Sequence, residues 1–129
     1  LTPIEWDPDT AVAPATAFAD VDVIIHLAGE NVGAGRWSTE TKRRIFASRQ
    51  IGTRNLVAAI NQMPKPPVLI SASAVGYYGD RGDEVLTEES TSGKGFLAEV
   101  CITWENEARL ARVSRLVQPR FGVVLGHGG

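Results

Sequence analysis

The residues best suited to chemistry lie in one stretch, Ile70–Asp80, which reads Ile-Ser-Ala-Ser-Ala-Val-Gly-Tyr-Tyr-Gly-Asp. Four hydroxyls, on Ser71, Ser73, Tyr77 and Tyr78, follow the apolar run Pro67-Val68-Leu69-Ile70. This is the pattern of a buried parallel strand whose carboxyl end opens into a ligand crevice, with Val68, Leu69 and Ile70 covered on both faces. A serine acting there as a nucleophile would need a base within hydrogen-bond reach. The Gly-x-Ser-x-Gly elbow of many hydrolases is absent, which counts against that chemistry.

Other candidates are weaker. His26 sits on an apolar strand and reads as a partly buried, hydrogen-bonded histidine. With His127 it lacks the acidic or thiol neighbours of a metal site, so no metal is expected. Glu88 and Glu89 are neighbours on a polar loop, where both carboxylates are ordinarily solvated. Trp6, Trp37 and Trp104 are too scattered for a base-stacking platform. Gly33-Ala34-Gly35-Arg36-Trp37-Ser38 follows a strand and opens a helix, but Ser38 stands where a third glycine or alanine belongs. The position about 20 residues on falls in mid-helix, so a glycine loop of another kind is favoured over a pyrophosphate cradle, and either can touch a ligand.

The elements that position these residues alternate between strands and long helices. Pro3–Pro8 reads as an extended segment, and Thr10–Asp20 as a short helix interrupted by Pro14. Val21–Leu27 is β-branched and apolar, hence a buried strand. A glycine-rich loop, Ala28–Trp37, leads to Ser38 as the N-cap of a helix running to about Gln62, with Glu40 in its first turn. Met63-Pro64-Lys65-Pro66-Pro67 stops that helix. After the Ile70–Asp80 stretch comes a polar loop to Gly95. A second helix then covers Phe96 to about Val113, with Leu97, Val100, Cys101, Trp104, Ala108 and Ala111 on its apolar stripe. Arg115–Val124 forms the last strand. This order implies βαβ crossovers, a parallel sheet covered by helices, and ligand binding beyond the strands' carboxyl ends. Three loops meet that description: Ala28–Trp37, Ser71–Asp80 and Gly122–Gly129.

Composition narrows the class. The 129 residues suit one domain, and 43% hydrophobic with 22% charged residues is ordinary globular material. A formal net charge of −2 gives no electrostatic reason to expect nucleic acid or an anionic membrane as partner. The lone Cys101 excludes an internal disulfide and reads as a small core residue. With no leader-like or long apolar run, a reducing cytoplasm is the expected compartment. The chain starts at Leu1 rather than Met and ends on Gly-His-Gly-Gly, so both ends read as cut.

Several pieces in order resemble one family. They are Asp22-Val23-Ile24-Ile25-His26-Leu27-Ala28-Gly29-Glu30-Asn31, Arg36-Trp37, Ser48-Arg49 with Gly52-Thr53, Ser71-Ala72-Ser73 with Tyr77-Tyr78-Gly79-Asp80, Trp104-Glu105, and Arg120-Phe121-Gly122-Val123-Val124-Leu125-Gly126. Together they resemble the atypical short-chain dehydrogenase/reductases of the NAD-dependent epimerase/dehydratase superfamily. More narrowly, they are similar to the epimerase-family proteins sometimes labelled cell-division inhibitors.

The resemblance implies an α/β fold, a three-layer Rossmann-type parallel sheet binding NADP or NAD. It implies that residues 1–129 are an internal piece, the third to about the sixth strand, without the first two strands and their phosphate fingerprint or the C-terminal substrate region. It places Leu27, Ala28, Gly29, Glu30, Arg36, Ser71, Ala72, Arg120 and Val123 at the cofactor. In the strand order 3-2-1-4-5-6 the fourth strand is then left with an exposed apolar edge, through which the chain could self-associate.

The family's Tyr-x-x-x-Lys pair is missing. The helix that should carry it reads Gly95-Phe96-Leu97-Ala98-Glu99-Val100-Cys101, so the two positions fall on Phe96 and Val100 or on Leu97 and Cys101. Arg49 is the nearest match to the family's asparagine. Two readings follow from the resemblance. One is a nicotinamide-dependent oxidoreductase or epimerase acting on a small carbonyl or sugar-nucleotide-like substrate. In it Tyr77 or Tyr78 donates the proton, Ser73 orients the substrate, and Arg49 or Arg36 supplies positive charge. The other is a non-catalytic NADP(H)-binding sensor or scaffold.

Overall fold

The computed structural model describes residues 3–33, 35–124 and 126. Three strands form one parallel sheet in the order β1-β2-β4: β1 is Val23–His26, β2 is Val68–Ser71 and β4 is Arg115–Val117. Ile24 is opposite Leu69 and His26 opposite Ser71, while Leu69 is also opposite Leu116. That is the order the resemblance implies for strands four, five and six. A separate two-stranded parallel sheet pairs β3, Ser73–Ala74, with β5, Arg120–Phe121.

Two helices provide the crossovers. Helix α1, Thr39–Ile60, starts where the sequence predicts: the Ser38 side chain accepts the Thr41 N–H at 3.1 Å. It ends before Pro64, where Asn61 ties the two helix ends together by accepting the Arg112 N–H at 2.6 Å. Helix α2, Phe96–Ala108, is shorter than predicted, because residues 109–113 turn away to lead into β4. The core between sheet and helices is Ile24, Leu56, Ile60, Met63, Leu69 and Ala108, with Trp6, Phe18 and Leu116 packed against it.

Several expectations are corrected. The strand read at Val21–Leu27 keeps only four residues, and its sides alternate: Ile24 and His26 are buried, whereas Val23 and Ile25 are exposed. Likewise Leu69 is fully buried but Val68 and Ile70 only partly. The physical reason is that the described helices supply one covering layer, so one face of the sheet stays open. The short helix expected at Thr10–Asp20 is one 3-10 turn, Ala15–Phe18. Pro3–Asp7, by contrast, forms no ladder among the described residues, as the resemblance implies where the first two strands are not beside it. The strand expected over Arg115–Val124 breaks in two. Pro119 has no N–H to donate, and its carbonyl instead accepts the Ser73 N–H at 2.8 Å. Leu1, Thr2, Ala34, Leu125 and His127–Gly129 lie outside the described residues. Among the described residues no helix is long and apolar enough to cross a membrane.

Candidate functional site

The sheet's carboxyl ends carry two side-chain clusters. The first is built around Glu105, which is 1% exposed on α2. Ser73, at the start of β3, donates its hydroxyl to Glu105 Oε1 at 2.8 Å. Arg120, at the start of β5, donates Nε to the same oxygen at 2.8 Å and Nη2 to Oε2 at 3.0 Å. Arg109 adds a further bond to Oε2 at 3.0 Å. Burial alone would raise the Glu105 pKa, but the hydrogen bonds from Arg120 and Ser73 outweigh it and hold the carboxyl below its ordinary value. The same pairing pushes the Arg120 guanidinium up.

Arg120 then reaches the tyrosines. Its Nη1 donates to the Tyr78 hydroxyl oxygen at 2.9 Å, and its guanidinium carbon lies 3.5 Å from the centre of the Tyr77 ring. The rings of Tyr77 and Tyr78 meet edge to face, 5.4 Å apart. The 3-10 turn that carries them, Val75–Tyr78, is pressed against α2: a Cβ on Gly76 would lie 3.3 Å from Leu97 Cβ and 3.7 Å from Cys101 Sγ. Tyr78, Glu105, Arg109 and Arg120 line a cavity of about 410 Å³, together with Leu86, Thr87 and Glu88 of the polar loop.

The second cluster sits where β1 ends. Arg49 Nη1 donates to the Glu30 carbonyl at 2.9 Å, and the Glu30 N–H donates to Ser48 Oγ at 3.0 Å. The Arg49 guanidinium carbon lies 5.1 Å from the centre of the Trp104 ring, and His26 meets that indole edge-on at 6.3 Å. His26 Nε2 pairs with Thr53 Oγ1 at 3.0 Å. Burial, reinforced by the Arg49 charge, lowers the His26 pKa to about 4. His26 is therefore hydrogen-bonded, as its setting predicts, but fully rather than partly buried. The Cys101 thiol is buried as well, and burial pushes its pKa up.

The structure thus gathers Ser73, Tyr77, Tyr78 and Arg120 into one network, and places Gly29 and Glu30 against Arg49, with Leu27 and Ala28 exposed just before them at the end of β1. Ser71 and Ala72 connect the two clusters. They are buried at 1% and 7% exposure, below the surface rather than in an open crevice, and Ser71 Oγ has no hydrogen-bond partner among the described residues. Arg36 and Val123 stay apart from both: Arg36 is exposed in the 28–37 loop, and Val123 is 88% exposed beyond β5. Both candidate registers for the missing tyrosine and lysine are packed. Phe96 meets Trp37 edge-on at 5.7 Å, Leu97 and Cys101 abut Gly76, and Val100 is buried.

Sequence reasoning missed Glu105 as the hub. A signal for it existed, since Glu105 lies four residues after Cys101 and three before Ala108, on the stripe that α2 buries. An acid on a buried stripe needs cations beside it.

Residues 2–99 match the NAD dependent epimerase/dehydratase family. The chain is 40% identical over 128 residues to an epimerase family protein of Mycobacterium bovis, covering 98% of this chain and 42% of that protein. It is 46% identical over 110 residues to a chloroplastic epimerase family protein of Arabidopsis thaliana, covering 82% and 31%. Its fold is similar to that of the nucleoside-diphosphate sugar epimerase from Corynebacterium glutamicum, with a TM-score of 0.80 and 40% identity over 97% of this chain and 26% of that one. It is also similar to a human epimerase family protein crystallised with NADPH, with a TM-score of 0.79 and 32% identity over 94% and 41%. The chain spans less than half the length of these relatives. With nearly all of its length aligned, the chain belongs to the NAD dependent epimerase/dehydratase family.

Proposed function

We propose that this chain is the third-to-sixth-strand portion of a nicotinamide-dependent oxidoreductase or epimerase. Its substrate is a small carbonyl or sugar-nucleotide-like molecule, and its catalytic set works without a Tyr-x-x-x-Lys pair. The observation that carries this reading is the network in which Ser73 and Arg120 meet on Glu105 and Arg120 in turn holds Tyr78, beside a cavity at the carboxyl ends of the strands. NADP or NAD is the cofactor, as the family's description and the NADPH-bound human relative suggest. The residues present suit such a group. Leu27, Ala28 and Gly29 are exposed at the end of β1, and Ser71 Oγ, at the end of β2, is a buried polar atom without a partner. These residues, with Glu30 and Ala72, would hold the dinucleotide, which when bound gives or takes a hydride. The lone buried Cys101 suits a reducing cytoplasm.

The chain's own residues would handle the proton. Arg120 donates to the Tyr78 oxygen, so the Tyr78 O–H is free to donate to a substrate oxygen in the cavity, and the guanidinium steadies the charge left behind. Ser73 gives its proton to Glu105 and keeps lone pairs with which to accept one.

The burial of Ser73, 2% exposed with its proton committed, favours a second reading: a non-catalytic NADP(H)-binding sensor or scaffold. One experiment separates the two. The full-length protein is loaded with NADPH and its redox state is followed against a panel of carbonyl and sugar-nucleotide substrates. Turnover that falls about a hundredfold in Tyr78→Phe supports the enzyme. Bound NADPH that no substrate oxidises, with affinity unchanged in Ser73→Ala and Tyr78→Phe, supports the sensor.

A further inference from the structure

Arg49 is a half-buried cation that no carboxylate touches among the described residues. The acid nearest in the fold, Glu30, directs Oε1 to Arg44 Nε at 3.4 Å instead. All the hydrogen bonds that Arg49 makes to described residues leave from Nη1, to the Glu30 carbonyl at 2.9 Å, Ser48 Oγ at 3.2 Å and the Ile45 carbonyl at 3.4 Å. Nε and Nη2 are left to donate. Taking a guanidinium out of water without an ion partner is costly, and the Trp104 face below it offsets only part of that cost.

The surrounding chain is shaped to keep this charge in place. A Cβ at Gly29 would lie 2.9 Å from the central guanidinium carbon and 3.0 and 3.1 Å from the two terminal nitrogens. A Cβ at residue 29 would therefore push the guanidinium away from the backbone where β1 ends. Two more buried polar groups close by have no partner among the described residues: Trp104 Nε1 on α2, on the ring that Arg49 covers, and Ser71 Oγ, on the residue paired with His26. A free cationic fork, an unpaired indole N–H and an unpaired hydroxyl make a set of donors awaiting an acceptor.

We propose that Arg49 is an anion-receiving group that binds a phosphate or carboxylate oxygen of a small-molecule ligand beyond the carboxyl ends of β1 and β2. This deepens the function proposed above and rests on its placement of the ligand crevice. The oxygen belongs either to the dinucleotide's phosphates or to an anionic group of the substrate.

The test titrates the full-length protein with inorganic phosphate at constant ionic strength and reads tryptophan fluorescence, in which Trp104 reports on the guanidinium above it. Phosphate is expected to change the emission of the wild type, and the change is expected to vanish in Trp104→Phe. In Arg49→Gln the phosphate affinity is expected to fall about tenfold or more. Gly29→Ala keeps the charge but displaces the guanidinium, and is expected to weaken phosphate similarly. It serves as the test if Arg49→Gln does not fold. An NADPH titration then assigns the source. A matching loss of NADPH affinity in Arg49→Gln, with phosphate competing against NADPH, identifies the dinucleotide. Unchanged NADPH affinity, with phosphate still bound beside NADPH, identifies the substrate. Wild-type phosphate affinity in folded Arg49→Gln or Gly29→Ala overturns the proposal, as does a wild type that does not bind phosphate. Failure of the wild type to bind NADPH while phosphate binding still depends on Arg49 would instead remove the proposed function and leave this site standing.

Discussion

Arg120 and Glu105 meet in a two-point ion pair, Nε on Oε1 at 2.8 Å and Nη2 on Oε2 at 3.0 Å. Glu105 stands on α2 and Arg120 on β5. With the Ser73 hydroxyl bound to the same carboxylate, the pair joins the small β3-β5 sheet to the helix behind it. It also sets where the Tyr77 and Tyr78 rings lie, because the far side of the Arg120 guanidinium packs on both.

Removing one partner strands the other below the surface. Arg120→Met is expected to lower the unfolding free energy by about 3 kcal/mol, and Glu105→Ala by a similar amount. The double variant is expected to lose less than the sum. Urea unfolding midpoints measure all three. Single variants within about 0.5 kcal/mol of wild type would mean that the pair contributes nothing to the fold.

Acid acts on two buried groups with the same sign. The His26 pKa is lowered from 6.5 to about 4, so the unfolded chain takes up a proton first as pH falls. The His26 contribution is complete above about 6.5 and is lost down to about 4, at most about 3 kcal/mol. Glu105 is also held below its ordinary 4.5, so its contribution is present above that value and disappears below it. Stability measured against pH is expected to fall between 6.5 and 4 in the wild type and to flatten over that window in His26→Gln. A His26→Gln profile parallel to wild type would place the acid sensitivity elsewhere.

Gly93 closes the polar loop onto the tyrosine turn. Its N–H donates to the Tyr77 carbonyl at 2.9 Å, and a Cβ there would lie 1.9 Å from the Tyr78 carbonyl oxygen. Gly93→Ala is therefore expected to destabilise by more than about 3 kcal/mol and to release the loop, unlike Gly122→Ala, where no atom lies within 4 Å of the added carbon. Limited proteolysis within residues 80–95 reads the release directly. Equal cleavage of wild type and Gly93→Ala would contradict it.

Strand β1 is the sheet's edge, with Val23 50% and Ile25 62% exposed. Residues 1–129 alone are expected to self-associate through this edge and its open apolar face, and Ile25→Lys is expected to shift them towards monomer. Sedimentation velocity over a concentration series checks this. A monomeric wild-type segment at every concentration would overturn it.

The parts of this protein legible in its sequence are those decided within a turn or two of chain. Ser38 caps α1 because a hydroxyl three residues before an amide can reach it. Pro64 and its neighbours stop that helix because proline lacks the donor, and the apolar run at Val68–Ser71 becomes a strand because β-branched and aliphatic side chains fill a pleated interior. The clustering of chemistry around Ser73, Tyr77 and Tyr78 was legible in the same way, from residue types in one short stretch. Tertiary structure decided what those hydroxyls do. Ser73 meets Glu105 across 32 residues, and Arg120 reaches the Tyr78 hydroxyl across 42. It also decided that the last strand breaks at Pro119 and that Arg49 pairs with no carboxylate among the described residues. A capping residue carries its partner with it in the chain, but a buried charge takes whichever partner the packed helices and strands bring within 3 Å or so.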